Sequence, residues 1–278
     1  MSCLSMLIRL FCTLTQVQVQ STLLRKMIVI LVTGGNRGIG NAIVQAVGNR
    51  VHDAIILVGS RSIENAEECI RNLKELGVPA RLEPLRITIT DNESIKAAVR
   101  AVDEKYGKLD VLINNAGAVT LPKTDDLTEL RENWNQGLDC LVTSQYLVTK
   151  AFLPLLRKAE WGRVIMISSS RGSLTRNKSM EMPPALHWMY SCSKAAINLM
   201  TVEFRNAELR DVVNEMDRIT IWAANPGHCK TAFNSFRGYK DPLSGAEVAA
   251  RLLESRRFEI PSGTFWEFEQ GNFQQVPW

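Results

Sequence analysis

Residues 27–40 read MIVILVTGGNRGIG. The uncharged apolar run 27–33 is the pattern of a strand buried on both faces. It leads straight into Gly34-Gly35-Asn36-Arg37-Gly38-Ile39-Gly40, and a helix is predicted over 38–49. A strand, a glycine turn and a helix in this order make a cradle for phosphate, because free N–H groups and the positive end of the helix dipole face the same point. Glycine at 34 and 38 lets a pyrophosphate approach the backbone, and Gly40 lets the helix pack on the sheet. The spacing is GxxxGxG rather than GxGxxG. Alone it describes a tight turn; its place between a buried strand and a helix gives it weight.

The alternation continues outward to the C-terminus. Strands are predicted at 54–59, 80–87, 109–114, 163–168, 218–224 and 264–268. Helices are predicted at 62–76, from the cap Asp91 to Tyr106, at 126–157 with a bend near Gly137 or Pro154, at 188–209 and at 246–254. Strands alternating with helices imply an α/β fold: one doubly wound parallel sheet with helices on both faces. Ligands then bind outside the carboxyl ends of the strands.

The 278 residues suffice for one well-buried domain. The formal charge is +4, and Arg9, Arg25 and Lys26 in an acid-free start supply most of it. The remainder is nearly neutral, which excludes a broad nucleic-acid face. Six cysteines form no CxxC pair and only three histidines are present. No metal site is expected, and free thiols suit a reducing, cytoplasmic setting. Residues 1–26 are read as an extension, a candidate for disorder, ahead of a domain spanning 27–278. Their composition also fits a mitochondrial transit segment. Their apolar stretch, broken by Arg9, is too short to span a membrane, and no membrane partner is expected.

The choice of dinucleotide falls at the end of the second strand, Val58-Gly59-Ser60-Arg61. A carboxylate there would hold the ribose 2′-hydroxyl of NAD. None is present, and Asp53 lies at the wrong end of the strand. Arg61 and Arg37 instead suit a 2′-phosphate, which predicts NADP(H). Two solvated surface arginines are the alternative.

Farther on, Tyr190-Ser191-Cys192-Ser193-Lys194 places a phenol and an ammonium one helical turn apart. An adjacent cation lowers a phenol's pKa, so the pair can exchange a proton with a carbonyl or alcohol oxygen. Ser168-Ser169-Ser170 closes the fifth strand, where a hydroxyl can hold the oxygen that gains charge. Asn114-Asn115-Ala116-Gly117 ends the fourth strand, and Asn225-Pro226-Gly227 follows the sixth, with Cys229 and Thr231 just beyond.

Taken together, TGGNRGIG at 33–40, NNAG at 114–117, ISS at 167–169, YSCSK at 190–194 and NPGHCKT at 225–231 resemble the short-chain dehydrogenase/reductase family, in the family's order and over nearly the whole of 27–278. The resemblance implies a single Rossmann-type domain of about seven parallel strands. It implies Tyr190 as acid/base, Lys194 on the nicotinamide ribose, and Ser169, second in the ISS pattern, orienting the substrate carbonyl. Gly34, Asn36, Arg37, Gly38, Ile39, Gly40, Ser60, Arg61, Thr88, Asn115, Gly117, Tyr190, Lys194, Pro226, Gly227, Cys229 and Thr231 are the cofactor-binding set that follows. The ending Phe273–Trp278 and the glycine loop look most like the carbonyl-reductase branch. Three positions depart from the family: Leu141 matches an Asn thought to support a relay water, Thr88 matches an adenine-contacting Asp, and Met166 replaces an Asn.

Ser169 and Tyr190 enclose an apolar insert with Leu174, Met180, Met182, Leu186, Trp188 and Met189, and Phe233, Phe236 and Tyr239 follow Thr231. Such residues suit an adaptable apolar pocket. The expected function is therefore NADPH-dependent reduction of a bulky apolar or aromatic ketone, aldehyde or quinone, or the reverse oxidation. A catalytically weak NADP(H)-binding regulator or scaffold is the alternative, motivated by Leu141 and Thr88. The resemblance suggests tailoring in secondary metabolism. It leaves both a monomer and a homo-oligomer open.

Overall fold

The computed structural model describes residues 27–119, 125–184 and 188–278. The expected extension 1–26, and Leu186 of the insert, lie outside them. In chain order the elements are β1 (Ile28–Thr33), α1 (Gly38–Gly48), β2 (Ala54–Ser60), α2 (Ile63–Glu75), β3 (Arg81–Arg86), α3 (Asn92–Tyr106), β4 (Val111–Asn114), α4 (Leu127–Leu138), a π turn (Asp139–Thr143), α5 (Ser144–Leu156), β5 (Arg163–Ile167), a short α6 (Leu174–Lys178), α7 (Trp188–Asp211), β6 (Thr220–Asn225), α8 (Pro242–Glu254), β7 (Thr264–Glu269) and β8 (Asn272–Gln275).

The strand order is β3-β2-β1-β4-β5-β6-β7-β8, parallel except for the final antiparallel pair. The chain winds outward from β1 to β3 and then resumes on the other side at β4. The order thus reverses at β1, and a crevice opens at the carboxyl ends of β1 and β4. Side-chain alternation along the buried strands builds two cores. Ile30, Val32, Ile56 and Val58 pack with α1, α2 and α8, whereas Val29, Leu31, Ile55 and Leu57 pack with α3, α5 and α7. Each such side chain, fully buried, contributes about 1.5–3 kcal/mol.

Two departures from the sequence-based expectation have physical causes. The sheet has eight strands where the resemblance implies about seven. Asn272–Gln275 is short and polar, and it pairs only because Gln270 (φ +49°) and Gly271 (φ +83°) form a tight hairpin turn. Helix α8 begins at Pro242 rather than 246, since Asp241 caps the N–H groups of Leu243 and Ser244 and proline fits a first turn. Of the two places where the long helix is expected to bend, the interruption falls at the π turn just after Gly137, while Pro154 stays inside α5. No helix among the described residues is long and apolar enough to cross a membrane.

Candidate active site

The crevice at β1 and β4 is sewn together by Thr33. Its hydroxyl donates to the Ile113 carbonyl (3.3 Å) and accepts from the N–H groups of Asn115 and Ala116 (both 3.0 Å). The Asn115 side-chain amide donates to the carbonyls of Thr33 (2.9 Å) and Gly34 (3.3 Å), so it holds the glycine loop itself. Gly34 has φ +62°, and a Cβ there would meet Ala116 Cα at 3.0 Å. At Gly40 a Cβ would lie 2.1 Å from the Gly34 carbonyl oxygen. Gly40 therefore keeps the turn compact, a tighter demand than helix–sheet packing.

The start of α1 differs from its counterparts. Helices α2, α3, α4 and α8 are closed by side-chain oxygens of Ser62, Asp91, Asp126 and Asp241. Arg37 caps α1 without a side-chain hydrogen bond, and its first turn has no acid. Its leading N–H groups are thus left for an anion, and the residues present fit a dinucleotide's pyrophosphate. Thr231 stands 3.8 Å from a Cβ built on Gly38, so the segment after β6 borders this loop. Gly227 (φ +81°) donates its N–H to Asn225 Oδ1 at 3.1 Å, while Cys229 is buried with its thiol on the Pro226 carbonyl (3.2 Å).

At the end of β2, Ser60 is buried whereas Arg61 and Arg37 are exposed. Arg86, also exposed, is in register with Ser60 across the β2–β3 pair. Sequence spacing missed Arg86, because only the sheet register brings it to this corner. Thr88 donates its N–H to Ser94 Oγ (2.9 Å) just ahead of α3.

The three serines after β5 separate clearly. Ser168 is buried and donates to Asn198 Oδ1 (2.5 Å). Ser170 opens a 3₁₀ turn. Ser169 lies near enough to the Tyr190 hydroxyl to lower its pKa, and its Oγ accepts the Arg171 N–H at 3.2 Å. Lys194, one turn along α7 from Tyr190, is buried; its Nζ donates to the Ile167 carbonyl (2.7 Å) and lies 5.7 Å from the Tyr190 ring centre. Burial pulls the Lys194 pKa down to about 8. Burial also pushes the Tyr190 phenol up, opposed by Ser169 and the Arg171 charge. The sequence points to Lys194 as the cation that lowers the phenol. In the structure the Lys194 Nζ donates to the strand-end carbonyl while staying 5.7 Å from the Tyr190 ring centre, and the Arg171 charge also lowers the phenol.

The π turn changes the reading of Leu141. Leu141 is buried, and a Cβ on Gly117 would touch its side chain at 2.7 Å. The extra residue in the turn brings its neighbour Cys140 to the Ala118 N–H and the Lys194 charge instead. Burial raises the Cys140 thiol, so it stays protonated at neutral pH. At the third departure, Met166 meets the β4 end directly, its Sδ accepting from Asn114 Nδ2 at 3.3 Å.

Over this floor the Phe233 ring lies 5.8 Å from that of Tyr190. Leu174, Met180, Trp188, Phe233, Phe236 and Tyr239 are all exposed. Ser235 and Phe236 both have left-handed backbone (φ +53° and +59°), a conformation that costs about 1 kcal/mol or more for each such residue.

Comparison with known proteins gives the family. The family profile described as short chain dehydrogenase matches residues 28–240. A short-chain dehydrogenase/reductase of Aspergillus fumigatus is 34% identical over 259 residues, covering 90% of this chain and 97% of that protein. The short-chain dehydrogenase anuI of Penicillium roqueforti is 32% identical over 234 residues, covering 80% and 86%. Among solved structures, the NADPH-bound carbonyl reductase from chicken fatty liver superposes with a TM-score of 0.68 at 26% identity, covering 91% of this chain and 99% of that one. The chain therefore belongs to the short-chain dehydrogenase/reductase family and is an oxidoreductase acting on CH–OH and C=O groups.

Proposed function

We propose that this protein is an NADPH-dependent reductase of a bulky apolar or aromatic ketone, aldehyde or quinone, in the manner of the carbonyl-reductase branch. The observation that carries the reading is Tyr190 one helical turn from buried Lys194, whose Nζ lies 5.7 Å from the Tyr190 ring centre and donates to the Ile167 carbonyl, two residues before Ser169 at the carboxyl end of β5. The exposed Arg37, Arg61 and Arg86 around Ser60 support a 2′-phosphate on the dinucleotide.

When bound, the reduced dinucleotide supplies a hydride to the carbonyl carbon. Ser169 holds the carbonyl oxygen by a hydrogen bond that strengthens as charge builds there. Tyr190, kept protonated by burial, gives its proton to that oxygen. Lys194 keeps its ammonium against the Ile167 carbonyl, which fixes where its remaining N–H groups point. Phe233, its ring 5.8 Å from that of Tyr190, offers an apolar surface to the body of the substrate.

The test is a titration of NADPH and NADH on the native chain and on Tyr190→Phe, with turnover measured on a panel of ketones and quinones. NADPH should bind in preference to NADH on both chains. The variant should lose at least about 10²-fold in kcat with NADPH affinity nearly unchanged. Retained turnover in the variant contradicts the acid role. Tight NADPH binding with no turnover on any substrate favours the regulator.

A further inference from the structure

Two residues beyond Ser169 a cation stands at the mouth of the site. Arg171 is half-buried, and its Nη1 donates to the Pro183 carbonyl at 2.5 Å. The Arg171 carbonyl in turn accepts from Asn177 Nδ2 at 2.9 Å. The Arg171 backbone N–H donates to Ser169 Oγ (3.2 Å), and a Cβ on the next residue, Gly172, would meet the Lys194 carbonyl at 2.6 Å, so the arginine is rooted between Ser169 and the turn of α7 that carries Tyr190 and Lys194.

No carboxylate neutralises it. Among the described residues Arg171 makes no ion pair. Residues 1–26, 120–124 and 185–187 contain no Asp or Glu. The next arginine along the insert shows the contrast: Arg176 is closed by Glu267 through two bonds of 2.9 and 2.6 Å. A guanidinium carries five donors in one plane and keeps its charge at any working pH. Pro183 uses one of them. A partly desolvated cation left open beside Ser169 and Tyr190 gains most from an anionic oxygen.

We infer that Arg171 is a specificity-determining residue, binding an ionised oxygen (an acidic enol, phenol or carboxylate) that the substrate carries near the carbonyl engaged by Ser169 and Tyr190. This rests on the reductase reading above. Neutral carbonyl compounds gain no binding from Arg171.

A matched pair of probes tests it: lawsone, an acidic hydroxynaphthoquinone ionised at neutral pH, and its neutral methyl ether. Their dissociation constants are measured by calorimetry on the chain saturated with NADP+. On the native chain lawsone should bind at least about ten-fold tighter than the ether, as a charge-assisted pair provides. In Arg171→Met the ratio should fall to about one, with the ether's affinity unchanged. Arg171→Gln, which keeps a donor for the Pro183 carbonyl, should behave likewise and guards against a displaced insert; NADP+ affinity reports folding in both. A native ratio near one, or a ratio that survives in the variants, overturns the inference. NADPH consumption with the ether on the native chain tests the reductase reading separately, and if there is none the binding ratio still decides for or against Arg171.

Discussion

Lys194 is the residue whose surroundings have the clearest measurable consequence. Burial takes its pKa from 10.5 to about 8. Below pH 8 both folded and unfolded chains hold the proton, and the folded state bears the full cost of a buried ammonium. Between about pH 8 and 10 the unfolded chain binds more protons than the folded one, so this group's contribution to stability rises with pH. Unfolding free energies of the native chain, taken relative to Lys194→Met, should shift in favour of the native chain by about 2 kcal/mol across that window. A flat difference would mean that the ammonium is solvated in the folded state. The same residue scale explains why three neighbouring serines are not equivalent. Ser168 is committed to Asn198 and Ser170 to a turn, so only Ser169 meets the phenol.

At the scale of elements, the first β–α unit is decided by contacts inside its own turn. The Gly34 carbonyl lies where a side chain at position 40 would begin. A backbone atom cannot swing aside as a side-chain tip can, so Gly40→Ala should force the loop open. The expected result is a loss of at least about 10²-fold in NADPH affinity, read by fluorescence titration, alongside a fold that still melts cooperatively. NADPH affinity within a few-fold of native would show that the start of α1 does not hold the pyrophosphate. The helix that breaks at Asp139–Thr143 teaches the complementary lesson. Counting along an unbroken helix points to position 141. A π turn adds a residue to the count, and the side chain that arrives beside Lys194 is Cys140.

Across the whole molecule, Glu267 joins parts that lie far apart in the chain. It is almost wholly buried on β7 and accepts from Arg176 of α6, Asn225 of β6 (2.8 Å) and Gln274 of β8 (2.8 Å). Asn225 in turn receives the Gly227 N–H beside the glycine loop. Burial pushes the Glu267 carboxyl up, but the hydrogen bonds from Arg176, Gln274 and Asn225 outweigh it, so its pKa lies below the usual range. Its contribution to stability is present above the unfolded carboxylate range and is lost as pH falls through the folded value. Glu267→Ala leaves Arg176 without its partner and should cost about 3 kcal/mol in denaturant unfolding. A cost below about 1 kcal/mol would show that the hub is solvated. Nearby, Ser173 donates to the Pro277 carbonyl (2.7 Å) and Trp278 stacks on Phe265 with ring centres 5.5 Å apart, so the Val-Pro-Trp ending braces the segment after Ser169.

The fold is legible in the chain because its signals are local. Uncharged runs such as 27–33 and 54–59, glycines at the turn and capping residues such as Asp91 each act within a few positions. The same holds for Tyr190 and Lys194, whose neighbourhood follows from helical pitch alone. What the sequence leaves open depends on contacts between distant segments. Arg86 reaches the corner of Ser60 only through strand register, and Asn272–Gln275 becomes a strand only against β7. The π turn at Asp139–Thr143, beside buried Leu141, shows only once the chain is folded. Arg176 is closed, where Arg171 is not, only because the fold carries Glu267 of β7 to it. Spacing along the chain fixes neighbours one turn or one strand apart; which charge meets which, across tens of residues, is fixed by packing.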